Sequence, residues 1–242
     1  QGHWLDPDQG TYPYTTSGKC TFAGVAQCTG LPVDAIGLRI AVLKAYATRV
    51  GNGPFDDLGD PALLPEELPP PLGVNREAEL AALRVKINAG EATIAEVGRY
   101  LRWAGHEVGA TTGRKRRTGW LNVARARRMV AAEAPHALAL TKLDVLSGLR
   151  ELDVITGYCR ADGRVDHLPN LAHELDRALP AYHTLDGWDE DIAGVTDFGA
   201  LPSTARTYVS TLQRLLGAPI RWIGTGPGAD DLIVRRLPPP IA

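Results

Sequence analysis

Short apolar runs alternating with helically spaced segments constrain this chain most. Residues 39–50 (RIAVLKAYATRV) are rich in β-branched and aromatic residues and read as one buried strand. Residues 137–141, 152–158, 220–223 and 232–234 read as further strands. Between them, Leu80, Leu83 and Ile87, then Ile94, Val97 and Leu101, keep helical spacing on either side of Gly90. Val123, Ala126 and Val130 mark another helix, closed by Pro135. Ser203 is placed as an N-cap ahead of the stripe Ala205, Tyr208, Val209, Leu212 and Leu216, with Gly217 as the stop. Strands interleaved with amphipathic helices predict an α/β fold, an open mixed sheet flanked by helices. Residues 1–30, rich in Gly, Thr and Tyr, read as ordered loop, 32–36 as a helix start, and the Pro-rich residues 56–75 as a surface excursion.

At 242 residues with 44% hydrophobic content, the chain can bury a sizeable core. A net charge of −2 argues against a general nucleic-acid binder, whose domain is normally basic. Cys20, Cys28 and Cys159 show no CxxC spacing, so neither a disulfide framework nor a zinc site is indicated, and a reducing cytoplasm is expected. The six dispersed His residues have no metal spacing, and no apolar run reaches the ~20 residues of a membrane span. The chain opens on Gln1 with no preceding strand or cap, as a sequence beginning inside a motif would.

Two segments carry chemistry. In residues 109–122 (GATTGRKRRTGWLN) a hydroxyl-lined glycine loop turns into the cations Arg114, Lys115, Arg116 and Arg117. Gly109 and Gly113 let backbone approach a ligand, Thr111 and Thr112 offer hydroxyls, and Arg supplies a planar fork for a carboxylate or phosphate. A charge run alone would more often be a solvated face or a nucleic-acid patch; the flanking glycines and threonines favour anion recognition. In residues 139–144 (ALTKLD) an apolar strand ends in Lys142 and Asp144. Asp144 either caps a following helix or accepts hydrogen bonds from a guanine edge, at the strand end where ligands sit in open α/β sheets. Gly224, Thr225, Gly226 and Pro227 follow the strand IRWI. They mimic a dinucleotide fingerprint, but the alternating DDLIVRR after them leaves no helix for one, so a turn or a backbone wall beside a base is expected.

These motifs, in this order, closely resemble the adenylosuccinate synthetase family: QGHWLDPDQGTYPYTT at the start, KAYATRVGNGPF at 44–55, GATTGRKRRTGWLN, ALTKLDVLSGL, LDGWDEDIAGVTDF at 185–198, and GTGP. The resemblance implies GTP-dependent ligation of L-aspartate to inosine monophosphate (IMP). It assigns IMP contacts to Gln1, Thr16, Val50 and Arg114, and an aspartate loop to Ala110, Thr111, Thr112, Gly113, Arg114, Lys115 and Arg116. It assigns a GTP pocket to Arg116, Lys142, Leu143, Asp144, Gly224, Thr225 and Gly226. GTP is then a co-substrate with Mg2+, the partners are small molecules rather than nucleic acid or membrane, and the complete protein is expected to be a homodimer. No GDEGKG run occurs. The family's glycine-rich phosphate loop, catalytic Asp and His and magnesium ligand are therefore expected in an amino-terminal half. No catalytic or metal-binding residue is assigned within these residues, so the chain alone is expected not to turn over. The family's PTE after GPF is replaced by Asp56, Asp57 and Leu58, and residues 56–108 read as a helical insertion within a single domain spanning 1–242. Alternatives are a fragment of the phage-type relative that acts on a guanine monophosphate, or a non-catalytic purine-nucleotide-binding remnant.

Overall fold

The computed structural model describes residues 2–56, 58, 75–109, 113, 116–159, 165–166, 171–175 and 177–236. The α/β expectation holds, with the strands divided among two sheets and a short ladder. The first sheet has the order β1 (Ile40–Lys44), β5 (Ala137–Thr141), β9 (Ile220–Gly224), β10 (Leu232–Val234). β1, β5 and β9 are parallel and β10 runs antiparallel to β9. The second sheet is built on β6 (Leu149–Cys159), which pairs with β4 (Leu121–Asn122), β7 (Val165–Asp166) and β8 (Leu179–Trp188). β2 (Ala47–Arg49) and β3 (Arg117–Gly119) form the ladder.

Residues 39–50 are not one strand. Ala45 and Tyr46, each 1% exposed, turn inward between β1 and β2, and the Ala45 amide donates to the Thr141 carbonyl at 2.8 Å. The break sends the two halves into different sheets. The amino-terminal segment also differs from the loop expected: α1 (Gly2–Leu5) and α2 (Phe22–Thr29) form there. Thr21 caps α2 by accepting from the Gly24 amide, and Gly30 closes it at φ 74°.

α3 (Arg76–Asn88) and α4 (Ile94–Ala104) form where the spacing predicts. Asn75 caps α3, and Thr93 with Glu96 makes a capping box on α4. Both helices contribute to the main core through Leu83, Tyr100 and Leu101. α5 (Val123–Glu133) is capped by Asn122, and α6 (Ala172–Leu175) is a single turn. α7 (Ser203–Leu216) starts at Ser203, but Pro202 holds the cap position and no side chain caps it. Proline's fixed φ suits a helix entrance without a hydroxyl. The stripe Ala205, Tyr208, Val209, Leu212 and Leu216 is buried as its spacing requires, against a core shared with β5 and β9. No described helix is long and apolar enough to cross a membrane.

Candidate functional site

Three parallel strands end side by side. Lys44 of β1 pairs with Thr141 of β5, and Leu140 pairs with Ile223 of β9, so residues 142–144 and 224–226 leave the sheet next to one another. The Leu143 amide donates to the Gly224 carbonyl at 3.1 Å, locking the two turns together. Thr225, fully buried, donates its hydroxyl to Val195 O at 2.9 Å, and the Gly194 amide donates to Thr225 O at 3.2 Å. The segment 185–198 thereby walls the same corner. Ser147 binds it further by accepting from Trp188 Nε1 at 3.2 Å. Gly226 is required by close approach: a Cβ there would lie 2.4 Å from Asp231 Oδ2, a carboxylate that accepts from the Gly228 amide at 2.7 Å.

Asp144 opens a 3-10 turn, Asp144–Leu146, whose capping position is Leu143, so its side chain does not serve as the cap. Its Oδ1 is buried and has no hydrogen-bond partner among the described residues. Burial pushes its carboxyl up from the ordinary value; its own amide and Lys142 oppose the shift, while Asp191 and Asp231 add to it. A buried polar atom without a partner is uncommon and costs free energy until something supplies a donor. Two residues earlier, Lys142 is held at φ 61°, a left-handed conformation unfavourable for a side-chain-bearing residue. That kink turns its ammonium back to the Gly105 carbonyl and to within 3.4 Å of Glu107.

Glu107 was not marked by any sequence motif. It is fully buried. It accepts from Tyr46 Oη at 2.5 Å, from Lys44 Nζ at 2.9 Å and from Arg116 Nη1 at 2.8 Å. Burial alone would raise its pKa, but the hydrogen bonds from Tyr46, Lys44 and Arg116 outweigh it and hold the carboxyl at about 2. Burial lowers the Lys44 ammonium from its ordinary value, with Glu107 opposing. The three cations Lys44, Arg116 and Lys142 thus face the two carboxylates of Glu107 and Asp144, a formal surplus of one positive charge beside the strand ends.

The antiparallel β2–β3 ladder ends at the pair Arg49 and Arg117, with Val50 following β2 and Arg116 preceding β3 in the chain. Arg49 Nη2 donates to Tyr14 O at 3.2 Å and brings the turn holding Thr16 beside the turn after Val50. Thr16 itself is exposed; its amide donates to Leu5 O at 2.7 Å. Gly113 is exposed at φ 61°, its amide donating to Gly109 O at 2.8 Å. Gln1, Ala110, Thr111, Thr112, Arg114 and Lys115 lie outside the described residues. The structure therefore gathers Arg116, Lys142, Leu143, Asp144, Gly224, Thr225 and Gly226 at one corner, while Thr16 and Val50 form no hydrogen bond with them among the described residues. A cavity of about 400 Å³ opens along β1 and α5, lined by residues such as Trp4, Val42, Asn122 and Met129 and bordered by Lys44 and Tyr46 of the Glu107 cluster. None of the candidate residues lines it. Among the described residues no group of three or more His, Cys, Asp or Glu side chains is placed to hold a metal ion.

Comparison with known proteins identifies the family. The family profile described as adenylosuccinate synthetase matches residues 1–233. Adenylosuccinate synthetase from Alteromonas mediterranea is 39% identical over 239 residues, covering 98% of this chain and 48% of that protein. The Mycobacterium bovis enzyme is 41% identical over 236 residues, covering 98% and 47%. A structure of fully ligated adenylosuccinate synthetase from Plasmodium falciparum superimposes with a TM-score of 0.78 at 33% identity, covering 97% of this chain and 48% of that one. The chain spans about half the length of the curated relatives it matches. With the profile covering nearly its whole length, the chain belongs to the adenylosuccinate synthetase family.

Proposed function

We propose that this chain supplies the guanine- and aspartate-recognition portion of a GTP-dependent ligase that joins L-aspartate to IMP. The observation that carries this reading is the buried, unpartnered Oδ1 of Asp144, set between the ends of parallel strands and beside the Gly224–Gly226 turn. A guanine presents two adjacent donors, N1–H and the exocyclic amine, and a carboxylate accepts both. An adenine offers an acceptor at N1, which would leave the buried carboxylate unpaired. The Lys142 stem packs on the base, and the 224–226 backbone walls its other side.

Arg116 has a guanidinium only partly occupied by Glu107, through one nitrogen, and its remaining donors suit a phosphate or a dicarboxylate. Ala110 to Lys115 continue as the aspartate loop, with Arg114 shared with IMP, and Gln1, Thr16 and Val50 complete the IMP contacts. The positive surplus around Glu107 supports recognition of anionic substrates. Proton transfer on the purine and magnesium ligation fall to an amino-terminal half, which also completes a cytoplasmic homodimer.

The test is calorimetric titration of the chain with GTP, inosine triphosphate and ATP. GTP should bind tightest, inosine triphosphate weaker for want of the exocyclic amine, and ATP weakest. Equal affinities would refute a guanine site. Adenylosuccinate formation is expected only when a family amino-terminal half is added in trans; product from the chain alone would show that the catalytic groups are present here.

A further inference from the structure

We propose that Glu107 is a positioning residue that fixes Arg116 and Lys142 relative to one another, setting the basic loop and the base-recognising turn as one unit. This rests on the guanine reading above. Glu107 gathers four donors from three parts of the chain: Lys44 and Tyr46 at the end of β1 and the inward turn after it, Arg116 at the exit of the basic loop, and Lys142 after β5.

The backbone around Glu107 is held by hydrogen bonds of its own. The Arg116 amide donates to Glu107 O at 3.0 Å, the Glu107 amide donates to Arg102 O at 2.9 Å, and Arg102 Nε donates to Arg116 O at 3.1 Å. Glu107 therefore sits at a set height beside the loop exit. The cations of the cluster are partly open where the carboxylate is not: Lys44 keeps 26% of its side-chain surface exposed. Arg116 and Lys142 keep 29% and 34% of their side-chain surface open, while the carboxylate keeps none. Without the carboxylate, two like charges would repel across this corner and the loop exit would lose its hold on the strand end.

A purely structural ion network would be replaceable by apolar packing with little change in anything but stability. The positioning role predicts more, because the two cations it pins are those that flank the base site. Tyr46 contributes a neutral donor, since burial pushes its phenol far above the ordinary range and keeps it protonated.

The experiment uses the 242-residue chain with 15N-labelled arginine and lysine. In the wild type, rotation about the Arg116 Nε–Cζ bond should be slow and the Lys142 ammonium protons visible in NMR. A freely rotating Arg116 in the wild type overturns the proposal without any variant. In Glu107→Gln both signatures should be lost, and GTP affinity should fall about tenfold or more at a temperature where circular dichroism shows the variant folded. Adding Glu107→Gln to Arg116→Gln should cost little beyond Arg116→Gln alone, because the two act through one contact. Fully additive losses, or GTP and ATP affinity falling together in proportion to unfolding, would assign Glu107 to stability only. If the wild type binds no GTP, the guanine reading fails by itself, and the NMR comparison still decides what Glu107 holds.

Discussion

Replacing Asp144 by Asn should weaken guanine binding while making the unliganded chain more stable. Asp144 Oδ1 is buried with no donor among the described residues, and the rise in its carboxyl follows from that burial. Charge-assisted hydrogen bonds contribute about 1.5–3 kcal/mol, so their loss should weaken GTP binding by about 12- to 150-fold. Without ligand the balance reverses. A buried polar group left unsatisfied costs about 1–3 kcal/mol, and a neutral amide of the same shape should recover about 1 kcal/mol of it. For a chain of this length, that is a rise of about 2–4 °C in melting temperature. The pH dependence has a definite sign. The folded carboxyl lies above its ordinary 3.8, so its protonated form is favoured by folding. The benefit is complete below 3.8 and is lost as pH rises through the folded value. The stabilisation by Asp144→Asn should therefore be seen at neutral pH and vanish toward pH 3.8. Calorimetry with GTP and ATP, with thermal unfolding at neutral and acid pH, reads both halves. A lower melting temperature with unchanged guanine preference would refute the reasoning and give Asp144 a structural role.

Gly187→Ala should destabilise by about 3 kcal/mol, because its Cβ would fall 1.9 Å from the Leu149 carbonyl across the β6–β8 pair; urea unfolding measures it, and a loss under 1 kcal/mol would show that the strands can separate there. Lys142→Gly and Lys142→Ala both delete the ammonium, but Lys142 sits at φ 61°, so the glycine variant should be about 1 kcal/mol the more stable; equal stabilities would mean the turn relaxes. Glu107, whose carboxyl is held at about 2 against an ordinary 4.5, stabilises fully above 4.5 and loses that contribution as pH falls toward 2. Acid unfolding curves of Glu107→Gln should be flatter over that window than those of the wild type, and superimposable slopes would contradict the pairing.

Much of this architecture is legible where a local pattern decides it. The periodicity of α7, the apolar runs of β5 and β9, and the alternation of β10 each follow from their own residues. β8 escapes such reading. Its sequence LPAYHTLDGW contains Pro180 and Gly187, and most of its side chains are exposed or half-buried, so no apolar alternation marks it. The break at Ala45–Tyr46 is invisible locally because its cause lies elsewhere: the Tyr46 hydroxyl reaches a carboxylate 61 residues away. α2 carried its signals, Thr21 before it and Gly30 after it, but its first turn holds a glycine and its apolar face is small. Among candidate residues, the strand-end sets at 142–144 and 224–226 were readable as motifs and are adjacent in space. Glu107 was not, since every side chain around it comes from another segment and no spacing announces a meeting of that kind.

β1 forms the border of its sheet, and Val42 at its middle is 68% exposed. On its outer side no strand pairs with it among the described residues. A strand edge offering both main-chain donors and an apolar side chain is a template for its own kind. For this chain, protein concentration thus becomes an experimental variable in its own right: light scattering and sedimentation should drift upward with loading, and an edge-breaking charge such as Val42→Lys should flatten that drift while leaving the strand ends on the far side of β5 undisturbed.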